Sequence, residues 1–267
     1  SAAALTAAGG GARLGRTRRN VVSCAVQNPG YATIWYDDAA LDAFLDEAAA
    51  LDARIATAID ALRRPPFSKH FVLRTDLARL LLVHTYGGWW LDADVVCIDD
   101  PLAELEIEGC VFAWEGSVAD EPSAPLNWAF ACEKGHRFPL YAALLAADRI
   151  AAFSGDAGAC AGEKRAYCAG GIPVLDLTGP AMLGDALRAY TGASSNRALR
   201  EAAGERADDA STWARATTVK DVTVLPYCYF RSRGCPHLAG ADVVFFHHEF
   251  DTAWRPAFWH NHYSDEL

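Results

Sequence analysis

The chain has 267 residues, 52% of them hydrophobic, enough to bury a sizeable core in one large domain or two small ones. Its 34 acidic against 24 basic side chains leave a formal charge of −10, which argues against a broad nucleic-acid-binding surface. No apolar run approaches the roughly 20 residues needed to cross a bilayer.

In chain order, residues 1–20 read as a disordered arm or fragment edge: Ala/Gly-rich to Gly11, then basic from Arg13 to Arg19. A single domain is expected over 21–267. The start at Ser1 fits a fragment, such as one of a membrane-anchored protein, or a chain whose targeting segment has been removed. Ala32 to Tyr36 predicts a strand, and Asp37-Asp38 offers an N-cap for an Ala/Leu-rich helix. A second helix, Asp52 to Arg64, carries Ile55, Ile59 and Leu62 on one face and is stopped by Pro65-Pro66. Thr75 is read as the cap of the next helix, in which Leu77, Leu80, Leu81 and His84 recur with helical spacing. Gly87-Gly88 ends it, and Trp89 to Ile98 predicts a strand.

Farther along, Cys110 to Trp114 and Trp128 to Cys132 are short apolar runs, His136 to Ile150 is helical, and Pro180 opens a helix to Tyr190. Ser194 to Thr218 reads as a helical excursion or a mobile insertion. Val222 to Leu225 and Asp242 to Phe246 are the last strand candidates. Alternating strand and helix patterns predict an α/β fold.

The eight cysteines contain no C-x-x-C, which argues against a structural zinc site. The close pairs Cys160/Cys168 and Cys228/Cys235 would suit disulfides. The final S-D-E-L, Ser264 to Leu267, is a variant of a lumenal retention address, so the lumen of the endoplasmic reticulum or Golgi is the favoured location.

The stretch that carries chemistry runs from Arg74-Thr75-Asp76-Leu77-Ala78-Arg79 through Tyr86-Gly87-Gly88-Trp89-Trp90-Leu91-Asp92-Ala93-Asp94. Residues two apart on a strand share a face, so Asp92 and Asp94 would stand side by side at a strand end. Two carboxylates that close repel unless a cation lies between them, and hard oxygen ligands suit Mn²⁺ or Mg²⁺. Such an ion would stabilise the charge that develops on a departing diphosphate. D-x-D alone is unspecific; the Y-G-G, the helix before it and the T-D-x-x-R at fixed distance sharpen it.

This stretch resembles the D-x-D sugar transferases that include Golgi mannosyltransferases and capsular polysaccharide transferases (glycosyltransferase family 32) and, more distantly, the large glucosylating toxins. The resemblance spans Asn28 to Trp254 and is strongest from Asp76 to Asp94. It implies a GT-A, Rossmann-like α/β/α sandwich and a metal-dependent, retaining transfer of a hexose from a UDP- or GDP-sugar. The acceptor would be a hydroxyl of a glycan, lipid or protein. By the same resemblance Asp76 and Arg79 would bind donor-sugar hydroxyls, and Asp92 would contact the donor and reach the metal through water. Asp94 would ligate the metal directly. Asn28-Pro29-Gly30-Tyr31 and Trp35-Tyr36-Asp37-Asp38 match the entry strand near the nucleotide, Asn127 matches a residue lining the donor sugar, and Thr178-Gly179-Pro180 matches a helix start. Trp90 stands where the family has Tyr and could stack on base or ribose.

His247-His248 follow the apolar run Val243 to Phe246 and precede Trp254, similar to the family's H-H-x-x-x-S-W, with one residue more and no Ser. His248, with His247 or Glu249 as alternatives, would meet the metal, and Trp254 would donate to the diphosphate. The family's first strand, I-P-k-x-I-h-Q-x-W, has no match in Ser1 to Val26. Structural alternatives stand beside these roles: Asp76 could serve the helix macrodipole and Arg79 could pair with it at i+3. Two other readings are a degenerate transferase that binds sugar or nucleotide without turnover, and a D-x-D phosphohydrolase. The Gly87-Gly88-Trp89-Trp90 before the motif, in place of a long apolar strand, weighs against the second.

Overall fold

A computed structural model describes residues 11–98, 107–115, 124–155, 160, 168–196, 198–199, 217–225 and 246–248. Seven helices and ten short strands are assigned among the described residues, along with a 3-10 turn at Phe67–Lys69. Helix α1 is Gly11–Gln27, α2 Asp38–Ala48, α3 Ala53–Leu62 and α4 Phe71–Tyr86. Strand β1 is Gly88–Leu91, β2 Val95–Cys97, β3 Cys110–Glu115, β4 Ala124–Pro125 and β5 Ala129–Cys132. Then come α5 (Arg137–Ala152), β6 (Cys168–Ala169), β7 (Ile172–Pro173), α6 (Val174–Leu177), α7 (Pro180–Thr191), β8 (Thr217–Val219), β9 (Val222–Leu225) and β10 (Phe246–His248).

The α/β reading holds. The central sheet is mixed, ordered β1-β5-β3-β9-β8, with β4 added on β3. Among the described strands β3 and β9 pair in parallel; β1/β5, β5/β3, β3/β4 and β9/β8 are antiparallel. Alternation along β3 sends Cys110, Phe112 and Trp114 into a large core with α2 to α5 and α7, and Val111 and Ala113 into a smaller one. Phe112 anchors the large core, stacked on Phe130 at 4.8 Å and edge-on to Phe138 at 5.3 Å. In the smaller core Cys24 of α1, Val95 and Cys97 of β2, Phe246 of β10 and Trp89 pack together. A strand buried on both faces reads as a continuous apolar run, which is why C-V-F-A-W has no polar alternation.

Several local expectations hold for physical reasons. Asp37 and Asp52 cap α2 and α3 by accepting from Ala40 N–H and Arg54 N–H, both at 2.8 Å. Pro180 is the first residue of α7, where its missing N–H costs no helical bond. Gly87 and Gly88 turn α4 into β1 with φ of +73° and +86°.

Others are corrected. Residues 11–20, read as an arm, form the first part of α1. Ala32 to Tyr36 is irregular, with Ile34 and Trp35 exposed and, among the described residues, no ladder to hold it as a strand. Thr75 does not cap α4, which starts four residues earlier at Phe71; its hydroxyl instead donates to the Phe71 carbonyl within the helix. Trp89 to Ile98 is interrupted: Asp92 to Asp94 make a turn between β1 and β2, closed by Val95 N–H to the Asp92 carbonyl at 3.0 Å. The last strand includes the two histidines rather than ending before them. Residues 200–216 and 242–245, Cys228, Cys235, Glu249 and Trp254 lie outside the described residues.

Candidate functional site at the D-x-D turn

Four pieces of chain meet at Arg79. It lies in the second half of α4, a helix whose buried residues include Asp76, Leu77, Arg79, Leu80 and Leu81. Its Nη2 stands between two carboxylates, 3.1 Å from Asp76 and 3.3 Å from Asp92, while Nη1 donates to the Asn127 carbonyl at 2.9 Å. The guanidinium carbon also lies 5.5 Å from the centre of the Trp90 ring. A fork of donors on a rigid plane holds two acids and a peptide oxygen in fixed directions, which the compact ammonium of a lysine does not set.

Asp76 is held from three sides. Besides Arg79, it accepts from the Thr178 hydroxyl at 2.8 Å and the Asn127 amide at 3.1 Å. It is 2% exposed and sits mid-helix, so the macrodipole alternative does not explain it. The i+3 pairing with Arg79 is present, but as one bond of a buried network rather than a surface pair. Burial pushes its carboxyl up to about 6, against the opposing pull of Arg79 and Thr178.

Asp92 follows β1 directly. Its own N–H donates to the Trp128 carbonyl at 2.8 Å, which carries the β1/β5 ladder one step into the turn. Trp90, two residues earlier, donates its indole N–H to the Asp92 Oδ1 at 2.6 Å. The period-two rule therefore works here between Trp90 and Asp92, while the following turn breaks it between Asp92 and Asp94. Asp94 is half-buried in that turn. Asp92 is thus engaged by both Trp90 and Arg79.

Strand β10 runs antiparallel to β2, opposing His247 to Val96 and His248 to Val95. The backbone of His248 thus lies beside the residue that follows Asp94. A disulfide from Cys24 of α1 to Cys97, and a bond from Cys97 N–H to Ser23 Oγ at 3.2 Å, fasten β2 from its other side.

Of the sequence-predicted residues, Asp76, Arg79, Trp90, Asp92 and Asn127 form one network, and His247 and His248 are brought by strand pairing next to the D-x-D turn. The ring of Tyr36 meets Phe44 of α2 at 6.4 Å, and burial, with Tyr86 and Glu47 as smaller causes, raises the pKa of its phenol. Trp254 lies outside the described residues. Arg74 pairs with Asp42 at 2.9 Å and ties α4 to α2. Sequence reasoning noted T-G-P only as a helix start. The hydroxyl of Thr178 in fact orients Asp76, and the only signal for it was a polar residue before an otherwise apolar helix junction.

No family model matches the sequence, and no curated protein does. Among solved structures, the PaToxG glycosyltransferase is similar to this chain, with a TM-score of 0.48 and 18% sequence identity, over 70% of this chain and 67% of that one.

Proposed function

We propose that this protein is a metal-dependent glycosyltransferase that moves a hexose from a nucleoside-diphosphate sugar to a hydroxyl acceptor with retention of configuration. The observation that carries the reading is Arg79 buried between Asp76 and Asp92, at the mouth of the turn that presents Asp94. A guanidinium and two carboxylates fixed this way offer donors and acceptors at set angles, the means by which sugar hydroxyls are recognised.

The donor set fits Mn²⁺ or Mg²⁺. Asp94 and, through water, Asp92 would hold the ion, joined by His248 or His247 from β10, whose backbone borders the strand after the motif. A bound ion of this kind supplies a Lewis acid for the charge that gathers on a leaving diphosphate. The chain's own residues do the rest. Trp90 and Arg79 hold Asp92 still, Thr178 and Asn127 hold Asp76, and the pair positions the sugar so that its anomeric carbon faces the acceptor. Front-face displacement, with the leaving diphosphate accepting the acceptor's proton, is the route that needs no carboxylate nucleophile.

The base and the sugar are open between UDP- and GDP-hexoses, so the test begins with a panel. Hydrolysis or transfer is followed by mass spectrometry for each nucleotide sugar with Mn²⁺, with Mg²⁺ and with a chelator. One donor should be consumed in a metal-dependent way, and Asp94→Ala should remove that consumption. Full activity in Asp92→Ala and Asp94→Ala, with unchanged metal dependence, contradicts the assignment. Tight donor binding without turnover would favour a degenerate transferase instead.

A further inference from the structure

At the end of β5 away from the D-x-D turn, where it hands over to α5, a second group of metal-ligating side chains is built into the fold. Cys110 begins β3 and Cys132 ends β5; they are direct cross-strand partners with Cα atoms 4.0 Å apart, joined as a disulfide and fully buried. Four residues beyond Cys132, His136 caps α5, and its Nδ1 stands 3.0 Å from the Cys110 sulfur. Its Nε2 stands 3.1 Å from a carboxylate oxygen of Asp221, in the β8/β9 turn, without the alignment of a hydrogen bond. The three ligand atoms of Cys110, Cys132 and His136 lie within 4.8 Å of one another.

The neighbourhood is shaped to hold Asp221 there. Cys110 N–H donates to the Asp221 carbonyl at 2.9 Å, and the Tyr190 hydroxyl donates to its carboxylate at 3.0 Å. A Cβ on Gly109 would collide with the Asp221 carbonyl oxygen, so this approach requires glycine, which also has φ of +70°. The Cys24–Cys97 sulfur, by contrast, has a peptide oxygen and a serine hydroxyl for neighbours.

We infer that Cys110 and Cys132, once reduced, form with His136 a binding site for a thiophilic divalent cation of the zinc type, with Asp221 fixing the imidazole from behind. Opening the site takes two electrons and two protons from a dithiol reductant, which ends as its own disulfide while the Cys110–Cys132 bond breaks. The entering ion then displaces both thiol protons to solvent. Two thiolates and a neutral imidazole around a dication carry no net charge, the combination a buried site tolerates. Nδ1 would give up the bond it accepts from Phe138 N–H at 3.2 Å and take the ion instead. A carboxylate behind a ligating histidine is the usual device for setting its tautomer and basicity. Sequence spacing misses this set because the two thiols meet across a strand ladder, not in C-x-x-C.

The test uses the full chain, reduced with a small dithiol, freed of it anaerobically and titrated with Co²⁺. One equivalent should produce the near-ultraviolet charge-transfer band of thiolate-bound cobalt, and the oxidised chain should produce none. Asp221→Asn should weaken binding by about 10- to 100-fold, and His136→Ala should weaken it at least as much. Both keep the two thiols, so they remain informative if Cys110→Ser/Cys132→Ser fails to fold. An Asp92→Asn/Asp94→Asn chain should keep the band, since carboxylate-bound cobalt lacks it; the result thus stands apart from the donor site. A reduced chain without the band contradicts the inference. So does a band unchanged in His136→Ala or in the double serine variant, or a Cys110–Cys132 bond that stays closed while the other disulfides open.

Discussion

Asp76 and Thr178 set the local energetics of the candidate donor site. The Asp76 carboxyl is pushed up to about 6 from an ordinary value near 3.8, with burial as the largest cause. Between those two values the folded chain binds more protons than the unfolded one, so this group's stabilising contribution, complete below about 4, is lost as pH rises to about 6. Urea midpoints measured across that window should fall with pH in the wild type, and Asp76→Asn should remove the slope. Thr178→Val strips one acceptor atom of its donor in a buried place, for an expected loss of about 1–3 kcal/mol in denaturant unfolding, whereas Thr178→Ser should restore most of it. Equal losses in the two variants would mean that packing, not the hydroxyl, matters. Trp90→Phe keeps the ring but drops the N–H on Asp92; donor turnover should fall by about 10- to 100-fold in kcat/KM, the range of a charge-assisted hydrogen bond. Motif spacing made Asp76, Arg79 and the D-x-D legible. It could not reveal that Arg79 bridges Asp76 to Asp92, because those acids are 16 positions apart and meet only when α4 packs beside β1.

The elements that frame the site were legible where local chemistry decides the boundary and not where pairing does. Asp37, Asp52, Pro180 and the Gly87-Gly88 turn act within a few residues, and each marks a real boundary. Ala32 to Tyr36 has strand composition but no partner strand among the described residues, and the D-x-D stretch looks continuous until the Asp92–Val95 turn bond breaks it. Gly87 shows how tight one junction is. A Cβ there would stand 2.6 Å from Lys134 N, at a φ of +73°. Gly87→Ala should therefore cost more than about 1 kcal/mol in an unfolding measurement, and should loosen donor binding by shifting β1; a neutral effect would show that the junction has slack. Cys24–Cys97 closes a separation of 73 residues, and replacing both by Ser should cost up to about 4 kcal/mol in the chain-entropy account, read from denaturant midpoints.

For the molecule as a whole, one sheet separates a large core from a smaller one, and the candidate site lies where α4, β1, the approach to β5 and the α6/α7 junction meet. Stability and recognition are therefore separable. Phe112→Ala, deep in the large core, should cost about 3–5 kcal/mol in unfolding while leaving the donor KM of the surviving folded protein unchanged. Arg79→Ala would do both kinds of harm, since it leaves Asp76 buried without its cation. Asp94, half-buried and in a turn, is the cleaner probe. The most direct measurement is calorimetric titration of UDP and GDP into the wild type and Asp94→Asn, each with Mn²⁺ and with chelator. Binding of one nucleotide that requires Mn²⁺ in the wild type, and that is lost in a folded Asp94→Asn chain, is the expected result. Equal binding in all four conditions, or none in any for either nucleotide, would contradict a metal-bridged donor site at the D-x-D turn.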